Sequence, residues 1–437
     1  ASASVVVSEM ADLGKVSFLK VRAALAQVGS DTDPYLLNNT YSPSAMFGGY
    51  PAFGVNLFAT NPNLRPERTT SSELGIDARF AKGRFGVDFA LYDMTTQDQI
   101  IYLPVASSTG RTSRLANGGA IRNTGMELQL YGDIVKSSNF TWNSRINVGA
   151  NRAVVTELPD GVSGGYPIVA SMFPNDGGTA GLEYVAVEGE LLGLLKGLTF
   201  ERDADGNIIH QDGYPVVSDE KSIIGSYQPK ARVGWMNSFS SGNWRADILF
   251  DGQIGGLIYS RSHTLHNTAG NLVNDNDPYL GLNAIDGRMI YDVSYDASGN
   301  PVYNLADAGG VVGDGVMYDS DGNLVENTVS VPLRDYYYKY YGNVWRRDNI
   351  EPSTFDASYL KLRQVSIAYN FPKEKLKNTA LKGLSVSFIG RNLLLFTKVP
   401  TIDPETYSIR NGLFINGYES TSMPSLRSFG FSVNANL

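Results

Sequence analysis

The chain has 437 residues and a mass of 47.5 kDa, which is long for one soluble domain. Its 36 basic and 44 acidic side chains give a formal net charge of −8, whereas a nucleic-acid-binding protein would carry a basic excess. The sequence contains no cysteine, which excludes disulfides, thiolate catalysis and Cys-ligated metals. With 46 glycines, 25 tyrosines and 18% charged residues, the composition favours a β-rich protein with many turns.

The sequence offers no membrane-spanning helix, because its longest uninterrupted apolar run is four residues and such a helix needs about 20. A transmembrane β-barrel stays open, since the lipid-facing side of a strand takes only every second residue. The opening segment 1–7 has no basic region followed by an apolar one and instead looks like the middle of a strand. We expect either that a signal peptide has been removed or that the chain is part of a longer polypeptide.

Two-residue alternation of apolar and polar side chains recurs along the chain, as in 126–131, where Met126, Leu128 and Leu130 oppose polar neighbours. Such alternation is typical of strands with one apolar and one polar face. It predicts about eleven strands, at 2–8, 16–29, 68–80, 84–103, 119–133, 140–157, 229–239, 243–260, 355–371, 383–397 and 425–437.

The connections between these strands alternate between short and long. Short ones lie at 81–83, 135–139, 240–243 and 372–382, and long ones at roughly 30–66, 104–118, 158–228, 261–354 and 398–423. This pattern predicts an up-and-down meander with one tight rim, as in transmembrane barrels. A soluble β-sandwich or solenoid would show the same alternation, but it rarely holds several loops this long.

Aromatic residues and one change of phase refine this prediction. Trp142 and Trp244 begin their strands beside short turns, as expected for a girdle at a membrane interface. Leu360 and Leu362 are out of phase with Val365, which predicts a β-bulge. An open sheet facing lipid would leave two unsatisfied edges, so we expect the barrel to close with strands outside this sequence.

Several motifs resemble chemical sites, and a structural explanation is stronger for each. The segment 161–165 reads Gly-Val-Ser-Gly-Gly, but a long polar loop follows it instead of the helix of a nucleophile elbow, so we expect no enzymatic activity. The segments at 203–207, 295–300 and 318–323 place Gly after polar residues, which predicts hairpin turns. A bound divalent ion is the less favoured alternative. His263 and His266 have no nearby third metal ligand, and we expect neither a metal nor a cofactor.

One group of segments, in this order along the chain, resembles the C-terminal half of the barrel in SusC/RagA-type TonB-dependent outer-membrane transporters. The segments are Asn61–Glu67, Asp98–Ile101, Asn117–Leu128, Tyr359–Val365, Tyr369–Pro372, Gly390–Leu393 and Pro424–Phe431. The resemblance covers nearly the whole chain. It implies that residues 1–437 form half of a barrel of about 22 strands, with the plug domain and first barrel strands absent from this sequence.

The resemblance also implies a function and partners. The expected function is import of oligosaccharides or peptides across the outer membrane of a Gram-negative bacterium, driven by TonB–ExbB–ExbD through the absent plug. A SusD-like surface lipoprotein would act as a lid, and such SusC/SusD pairs could dimerise. A passive porin, or a secreted soluble β-protein for glycan binding or adhesion, remains an alternative.

No site residue transfers from the family by motif, so the candidates come from the pattern. Polar-face residues expected to line the lumen are Asp88, Glu127, Arg145, Asn147 and Asp247. A dense aromatic run supplies loop candidates for stacking on sugar rings or anchoring a partner, namely Tyr336, Tyr337, Tyr338 and Trp345. The alternative for this run is packing among the loops.

Overall fold

A single large antiparallel sheet organises the protein. The computed structural model describes residues 1–34, 36–162, 164–169, 181–268, 288–290, 292–299, 301–304, 310–341, 349–400, 402–406, 408–410 and 413–436. The eleven strands of the sheet are β1 (Ser2–Val6), β2 (Val16–Ser30), β3 (Glu67–Phe80), β4 (Phe85–Gln97), β5 (Ala120–Lys136), β6 (Phe140–Glu157), β7 (Ala231–Ser241), β8 (Trp244–Ile254), β9 (Tyr359–Asn370), β10 (Gly383–Thr397) and β11 (Ser428–Asn436).

Each strand pairs with its neighbours in the sequence, so the sheet is an up-and-down meander. Among the described strands, β1 pairs only with β2 and β11 only with β10 within this sheet. Both edges of the sheet are therefore open. The predicted all-β class, the eleven strands and their antiparallel order are confirmed.

Two predicted strands are longer than those in the sheet. The predicted strand 84–103 leaves the sheet at Asp98, whose φ of 57° turns the chain, and Ile100–Pro104 joins a separate small sheet. The predicted strand 243–260 ends in the same way before Gly255, where φ is 72°. Left-handed backbone cannot continue a strand, and the alternation of side chains does not reveal it.

The predicted bulge is confirmed, and Arg363 is its extra residue. The pairing of β9 with both β8 and β10 passes from Gln364 directly to Leu362. One extra residue reverses the side-chain phase, so Leu362 remains on the same face as Val365 although their spacing is odd. The reversal also turns Lys361 toward the polar face. The predicted strand 355–371 is further divided, since residues up to 356 belong to a separate sheet.

One face of the sheet is apolar and largely uncovered. Directly paired residues form continuous apolar rows, such as Leu74, Leu91, Met126 and Ala150 across β3 to β6. Leu74 is 61% exposed and Phe431 is 79% exposed. Soluble proteins rarely expose apolar patches on this scale, so this face requires an apolar environment.

Aromatic rings gather at the end of the sheet where the connections are short. Trp142 stacks on Phe239 with ring centroids 5.8 Å apart. Trp244 contacts Tyr369 at 4.8 Å, and Tyr369 contacts Phe371 at 5.1 Å. The positions of Trp142 and Trp244 in the sequence predicted amphipathic rings at this rim, as an aromatic girdle needs.

The long connections contain small sheets and short helices. Their strands are Tyr41–Phe47, Tyr50–Val55, Phe58–Ala59, Ile100–Pro104, Ser113–Asn117, Tyr166–Val169, Glu183–Ala186, Leu194–Gly197, Ile209–Gln211, Tyr214–Pro215, Ser222–Ser226, Leu257–Ser260, Arg288–Ile290, Asp292–Tyr295, Pro301–Asn304, Gly310–Val312, Val316–Tyr318, Leu324–Glu326, Ser330–Val331, Thr354–Asp356, Ser408–Arg410, Leu413–Ile415 and Tyr418–Glu419. The α-helices among the described residues are α1 (Arg261–Thr268), α2 (Leu333–Tyr340) and, in the short connection 372–382, α3 (Lys373–Leu376). Described 3₁₀ turns lie at Ser107–Thr109 and Glu351–Ser353, and at Val7–Glu9 between β1 and β2. In the part of the chain that is described, every helix is too short or too polar to cross a bilayer.

We use the term loop layer for the described residues of the connections 158–230, 255–358 and 398–427. The loop layer has its own buried cores. One contains Leu182, Tyr184, Leu195, Tyr259, Ile350 and Tyr418, and another contains Phe200, Ile208, Val311, Val331, Tyr336, Tyr340 and Tyr341. Residues from different connections meet in each core, so these three connections pack on each other.

The three predicted hairpin turns in these connections are confirmed. The turn at 296–299 joins Asp292–Tyr295 to Pro301–Asn304, and the turn at 319–323 joins Val316–Tyr318 to Leu324–Glu326. At 203–207 the flanking residues form an antiparallel bridge. The leading aspartate in each turn accepts backbone N–H groups, as from Asp205 to Asp203 at 3.0 Å, which explains the repeated Asp at this position.

Candidate functional site on the polar face of the sheet

The five polar residues singled out in the sequence lie on one face of the sheet. Asp88 and Asn147 both pair with Gln129, so they share a row across β4, β5 and β6. Glu127 and Arg145 are two residues from members of that row, and strand periodicity puts them on the same face. Asp247 faces Ser238, whose strand continues this face from Gly234, the pairing partner of Asn147.

Two of these carboxylates are neutralised within the face. Nη2 of Arg22 donates to Oδ1 of Asp88 at 3.0 Å. Nη2 of Arg245 donates to Oδ1 of Asp247 at 2.9 Å, and the Ser238 hydroxyl donates to the same oxygen at 2.6 Å. These pairs hold charge on the face without creating a strong field of one sign.

The other three candidates differ in what they contact. Nε2 of Gln129 donates to Oδ1 of Asn147 at 2.9 Å, and the Arg145 guanidinium lies 5.7 Å from the Tyr131 ring centroid. Glu127 makes no ion pair with any residue in the described ranges. Its carboxylate is therefore unpaired within the part of the chain that is described.

A charged cluster, which we call the Lys361 cluster, joins β9 to the last long connection. Nζ of Lys361 donates to both carboxylate oxygens of Asp403, at 2.6 and 2.7 Å, and also contacts Glu405. Nη2 of Arg363 donates to Glu405 at 2.7 Å and contacts Asp251. The side chain of Lys361 is only 3% exposed. The bulge at Arg363 makes this arrangement, because it places Lys361 and Arg363 beside the loop.

The carboxylate of Glu405 is held in its charged form by this cluster. Burial alone would raise its pKa, but hydrogen bonds from Arg363, Lys361 and Tyr359 outweigh burial and lower that pKa to about 2. Glu405 therefore remains a stable anchor for the loop at every physiological pH.

Two cavities lie between the polar face and the loop layer. One, of about 370 Å³, is lined by Tyr92, Glu127, Gly149, Ala150, Asn151, Ala153, Leu192, Tyr227, Gln228, Pro229, Ala231 and Arg232. The other, of about 350 Å³, lies beside the Lys361 cluster and includes Tyr227, Arg232, Asp251, Tyr359, Glu405 and Asn416. Both sizes suit small-molecule ligands, and Arg232 contributes to both.

Sequence reasoning missed the part of this site that the loop layer supplies. Gln228 holds the loop against the sheet, since its Nε2 donates to the carbonyl oxygens of Ala153 at 2.9 Å and Leu192 at 2.7 Å. No local pattern marks Gln228 or Leu192 as wall residues. Tyr92 and Arg232 could have been found, because strand alternation assigns them to the polar face.

The aromatic candidates of the loop lie in different surroundings. Tyr336 is completely buried in a loop-layer core, and its ring is parallel to that of His210 with centroids 6.2 Å apart. For Tyr336 this favours the alternative of packing among the loops. Tyr338 is partly buried. The Tyr337 side chain and Trp345 lie outside the described residues.

A family comparison identifies this architecture. Residues 19–245, a little over half of the chain, match the family described as TonB dependent receptor-like, beta-barrel. The chain belongs to this family. The eleven-stranded sheet is thus part of a TonB-dependent receptor barrel, and the resemblance inferred from the sequence motifs is confirmed.

Curated relatives carry the same family name. TonB-dependent receptor P26 of Formosa agariphila is 24% identical over 444 residues, which cover 95% of this chain and 39% of that protein. TonB-dependent receptor SusC of Bacteroides thetaiotaomicron is 28% identical over 143 residues, covering 31% of this chain and 14% of that protein. The chain spans about two fifths of the length of P26.

A solved structure described as the RagAB peptide transporter has the same fold. It matches with a TM-score of 0.66 and 18% identity, covering 99% of this chain and 42% of that chain. A RagAB structure described as a peptide importer in the closed-closed state gives a TM-score of 0.67 at 17% identity, over 99% of this chain and 42% of that chain.

The remaining sequence motifs have structural roles or fall outside the described residues. The family and the curated relatives are named as receptors, and Ser163 of the Gly-x-Ser-x-Gly segment is not described. His263 is buried in α1, where its Nδ1 contacts the Ser353 hydroxyl at 3.1 Å and its Nε2 contacts Asn267 at 3.1 Å. His266 is exposed. Within the described ranges, no three His, Asp or Glu side chains are grouped as metal ligands would be.

Proposed function

We propose that the complete protein is a TonB-dependent importer in the outer membrane of a Gram-negative bacterium, and that it carries oligosaccharides or peptides. The observation that carries the proposal is the two-sided sheet of a receptor barrel, with an uncovered apolar face and a polar face whose charges are mostly paired. The apolar face meets acyl chains, and the polar face lines a water-filled lumen.

In this proposal residues 1–437 form the C-terminal half of the barrel domain. The open edges at β1 and β11 support it, because hydrocarbon does not tolerate unpaired strand edges. The short coverage of P26 and RagAB, at 39% and 42%, supports it further. The plug domain and the remaining barrel strands then lie elsewhere in the complete protein.

Transport proceeds in three steps. A SusD-like surface lipoprotein closes over ligand held at the long connections, which face the exterior. TonB, energised by ExbB and ExbD, displaces the plug, and the ligand then passes along the polar face. Asp88, Glu127, Arg145, Asn147 and Asp247 wet this face and set its selectivity, while Tyr338 is a candidate contact for ligand or lipoprotein.

The nearly balanced charge of the polar face bears on the ligand. Since Asp88 and Asp247 are already paired with arginines, the wall presents no extended field of one sign. This suits neutral or zwitterionic polymers better than polyanions. Two such importers, each with its lipoprotein, could associate as a dimer.

Uptake by the complete receptor in an outer-membrane host tests the proposal. Radiolabelled oligosaccharides and peptides are supplied to matched strains with and without TonB. We expect ligand accumulation only in the strain with TonB. Equal accumulation in both strains would contradict TonB coupling and indicate a passive porin. A porin would also show an open channel in single-channel conductance measurements without TonB.

Extraction behaviour tests the membrane assignment separately. We expect the receptor to stay in the membrane fraction through alkaline carbonate washing and to require detergent for release. Recovery in the aqueous fraction without detergent would instead indicate a soluble β-protein for glycan binding or adhesion.

A further inference from the structure

The cavity of about 370 Å³ on the polar face has opposite charges at its two ends. Gly149 pairs with Glu127 on one side and with Arg232 on the other. Neighbouring strands are about 4.8 Å apart, so the two charged residues stand on backbone positions about 10 Å apart. A carboxylate and a guanidinium thus flank a glycine on the same face.

Gly149 leaves the space between these charges open. A Cβ added to Gly149 would meet no atom within 4 Å, so the gap above it is free. Any side chain at this position would fill that gap, because it would project from the same face as Glu127 and Arg232.

Neither charge is neutralised by the described part of the chain. Glu127 and Arg232 form no ion pair there, in contrast to Asp88 and Asp247 on the same face. Arg232 uses one N–H group, which donates from Nε to the Gln253 side chain at 3.4 Å. Its other guanidinium N–H groups donate to no residue in the described ranges, which leaves them for a bidentate contact with a carboxylate.

The walls of the cavity are fixed by contacts of their own. The Tyr92 ring lies across Gly125, where an added Cβ would be 2.3 Å from the phenolic oxygen, and its hydroxyl donates to Asn151 Oδ1 at 3.1 Å. On the opposite side, Gln228 is held by Ala153 and Leu192 at 2.7 to 2.9 Å. The site is therefore largely preformed, which lowers the entropic cost of binding.

We propose that this cavity, the Glu127–Arg232 pocket, binds a zwitterionic peptide unit, with an ammonium group on Glu127 and a carboxylate on Arg232. Two extended residues span about 7 Å, which fits within the separation of about 10 Å between the two backbone positions. An uncharged sugar would not use the two opposite charges. This inference rests on the proposed import function, since it requires that the polar face line the conduit.

Binding of dialanine to the complete receptor in detergent, measured by calorimetry, tests the pocket. N-acetyl-dialanine lacks the ammonium, and dialanine amide lacks the carboxylate. We expect each modification to weaken binding to the unaltered receptor by about tenfold, the effect of losing one charge-assisted hydrogen bond. Glu127→Gln should remove the effect of acetylation only, and Arg232→Gln the effect of amidation only.

Lys20→Gln is the matched control, because it removes a charge from the polar face away from the pocket. It should leave both modification effects unchanged. Dialanine that does not bind, or that binds equally to the receptor and to both pocket variants, would overturn the inference. TonB-dependent uptake would still stand in that case, whereas loss of TonB dependence would overturn the import function regardless of dialanine binding.

Discussion

The eleven-stranded sheet and the loop layer bury their apolar residues in opposite ways. In the sheet, Leu74 and Phe431 are 61% and 79% exposed, and the apolar rows lie on the outer surface. In the loop layer, Leu195, Tyr259 and Ile350 are each 0% exposed, as in a soluble domain. The strands are therefore adapted to a hydrocarbon solvent, and the connections to water.

The difference shows that the burial of apolar side chains in each region depends on the medium that surrounds it. A strand needs only one side chain in two to be apolar, and lipid supplies the rest of its environment. The connections must exclude water by packing on each other, which explains why they contain small sheets, buried tyrosines and hydrogen-bonded turns. The two cavities of the polar face lie where the two regions meet.

The largest expected effect comes from breaking the Lys361 cluster, which joins the two regions. Lys361→Met leaves the Asp403 carboxylate, 7% exposed, without its cation. Removing one partner of a buried pair costs about 3–5 kcal/mol. We expect the segment 402–406 to become accessible to hydrogen exchange. Lys20→Met should not change exchange there, and equal protection in both variants would contradict the role of the cluster.

A matched pair of leucine truncations compares the stability cost of losing an apolar side chain in the two regions. Leu195→Ala should destabilise the loop layer by about 2–5 kcal/mol, because it leaves a cavity in a packed core. Leu74→Ala should change stability far less, since lipid fills the space beside the strand. Chemical denaturation of the receptor in lipid vesicles measures both. Equal losses would mean that the outer face of the sheet is packed against protein.

Arginine substitutions on opposite faces of the strands test the two faces of the sheet directly. Val148→Arg or Phe250→Arg places a charge on the lipid face, which costs about 2–4 kcal/mol at mid-membrane. We expect both to prevent outer-membrane insertion, and Asn147→Arg to permit it. The amount of heat-modifiable receptor in the membrane fraction measures insertion. Equal tolerance at Asn147 and Val148 would contradict the assignment of faces.

Acidification should weaken the loop layer through His263. Burial, with a smaller effect of His266, lowers the pKa of His263 from 6.5 to about 4. Its Nε2 contacts the Asn267 amide and its Nδ1 the Ser353 hydroxyl, and burial disfavours the charged ring. Because the unfolded chain binds a proton on this ring first, stability falls as pH drops from 6.5 to 4, by at most about 3 kcal/mol.

Thermal unfolding of the loop layer, followed by hydrogen exchange between pH 7 and pH 4, measures this dependence. His263→Gln should lower stability at pH 7 and flatten the profile in this range. A variant profile as steep as that of the unaltered protein would assign the pH dependence to other groups.

The sequence predicted the sheet better than the loop layer, for physical reasons. Alternation is local, so it placed Asp88 and Asn147 on one face and revealed the bulge through Leu362. Alternation could not predict the end of the strand at Asp98, because the periodicity of side chains does not depend on the backbone φ of one residue. Packing among the loops was one of the two interpretations of the aromatic run, and the sequence could not decide it for Tyr336, since its burial depends on contacts between segments far apart in the chain.

The same limit applied to the candidate site. Glu127 was found because it alternates on β5, but its relation to Arg232 depends on the register of two strand pairs. The lining by Leu192 and Gln228 depends on how a long connection returns to the sheet. Sequence pattern thus identified the wall of the site and missed its cover.

A single-cysteine scan along β6 tests the central claim most directly, because the chain contributes no cysteine of its own. Residues 146–150 are replaced one at a time in the membrane-inserted receptor and treated with a water-soluble maleimide. The account predicts reaction at Asn147→Cys and Gly149→Cys, and protection at Ile146→Cys, Val148→Cys and Ala150→Cys. Uniform reaction or uniform protection at all five positions would contradict a sheet that separates lipid from a water-filled lumen.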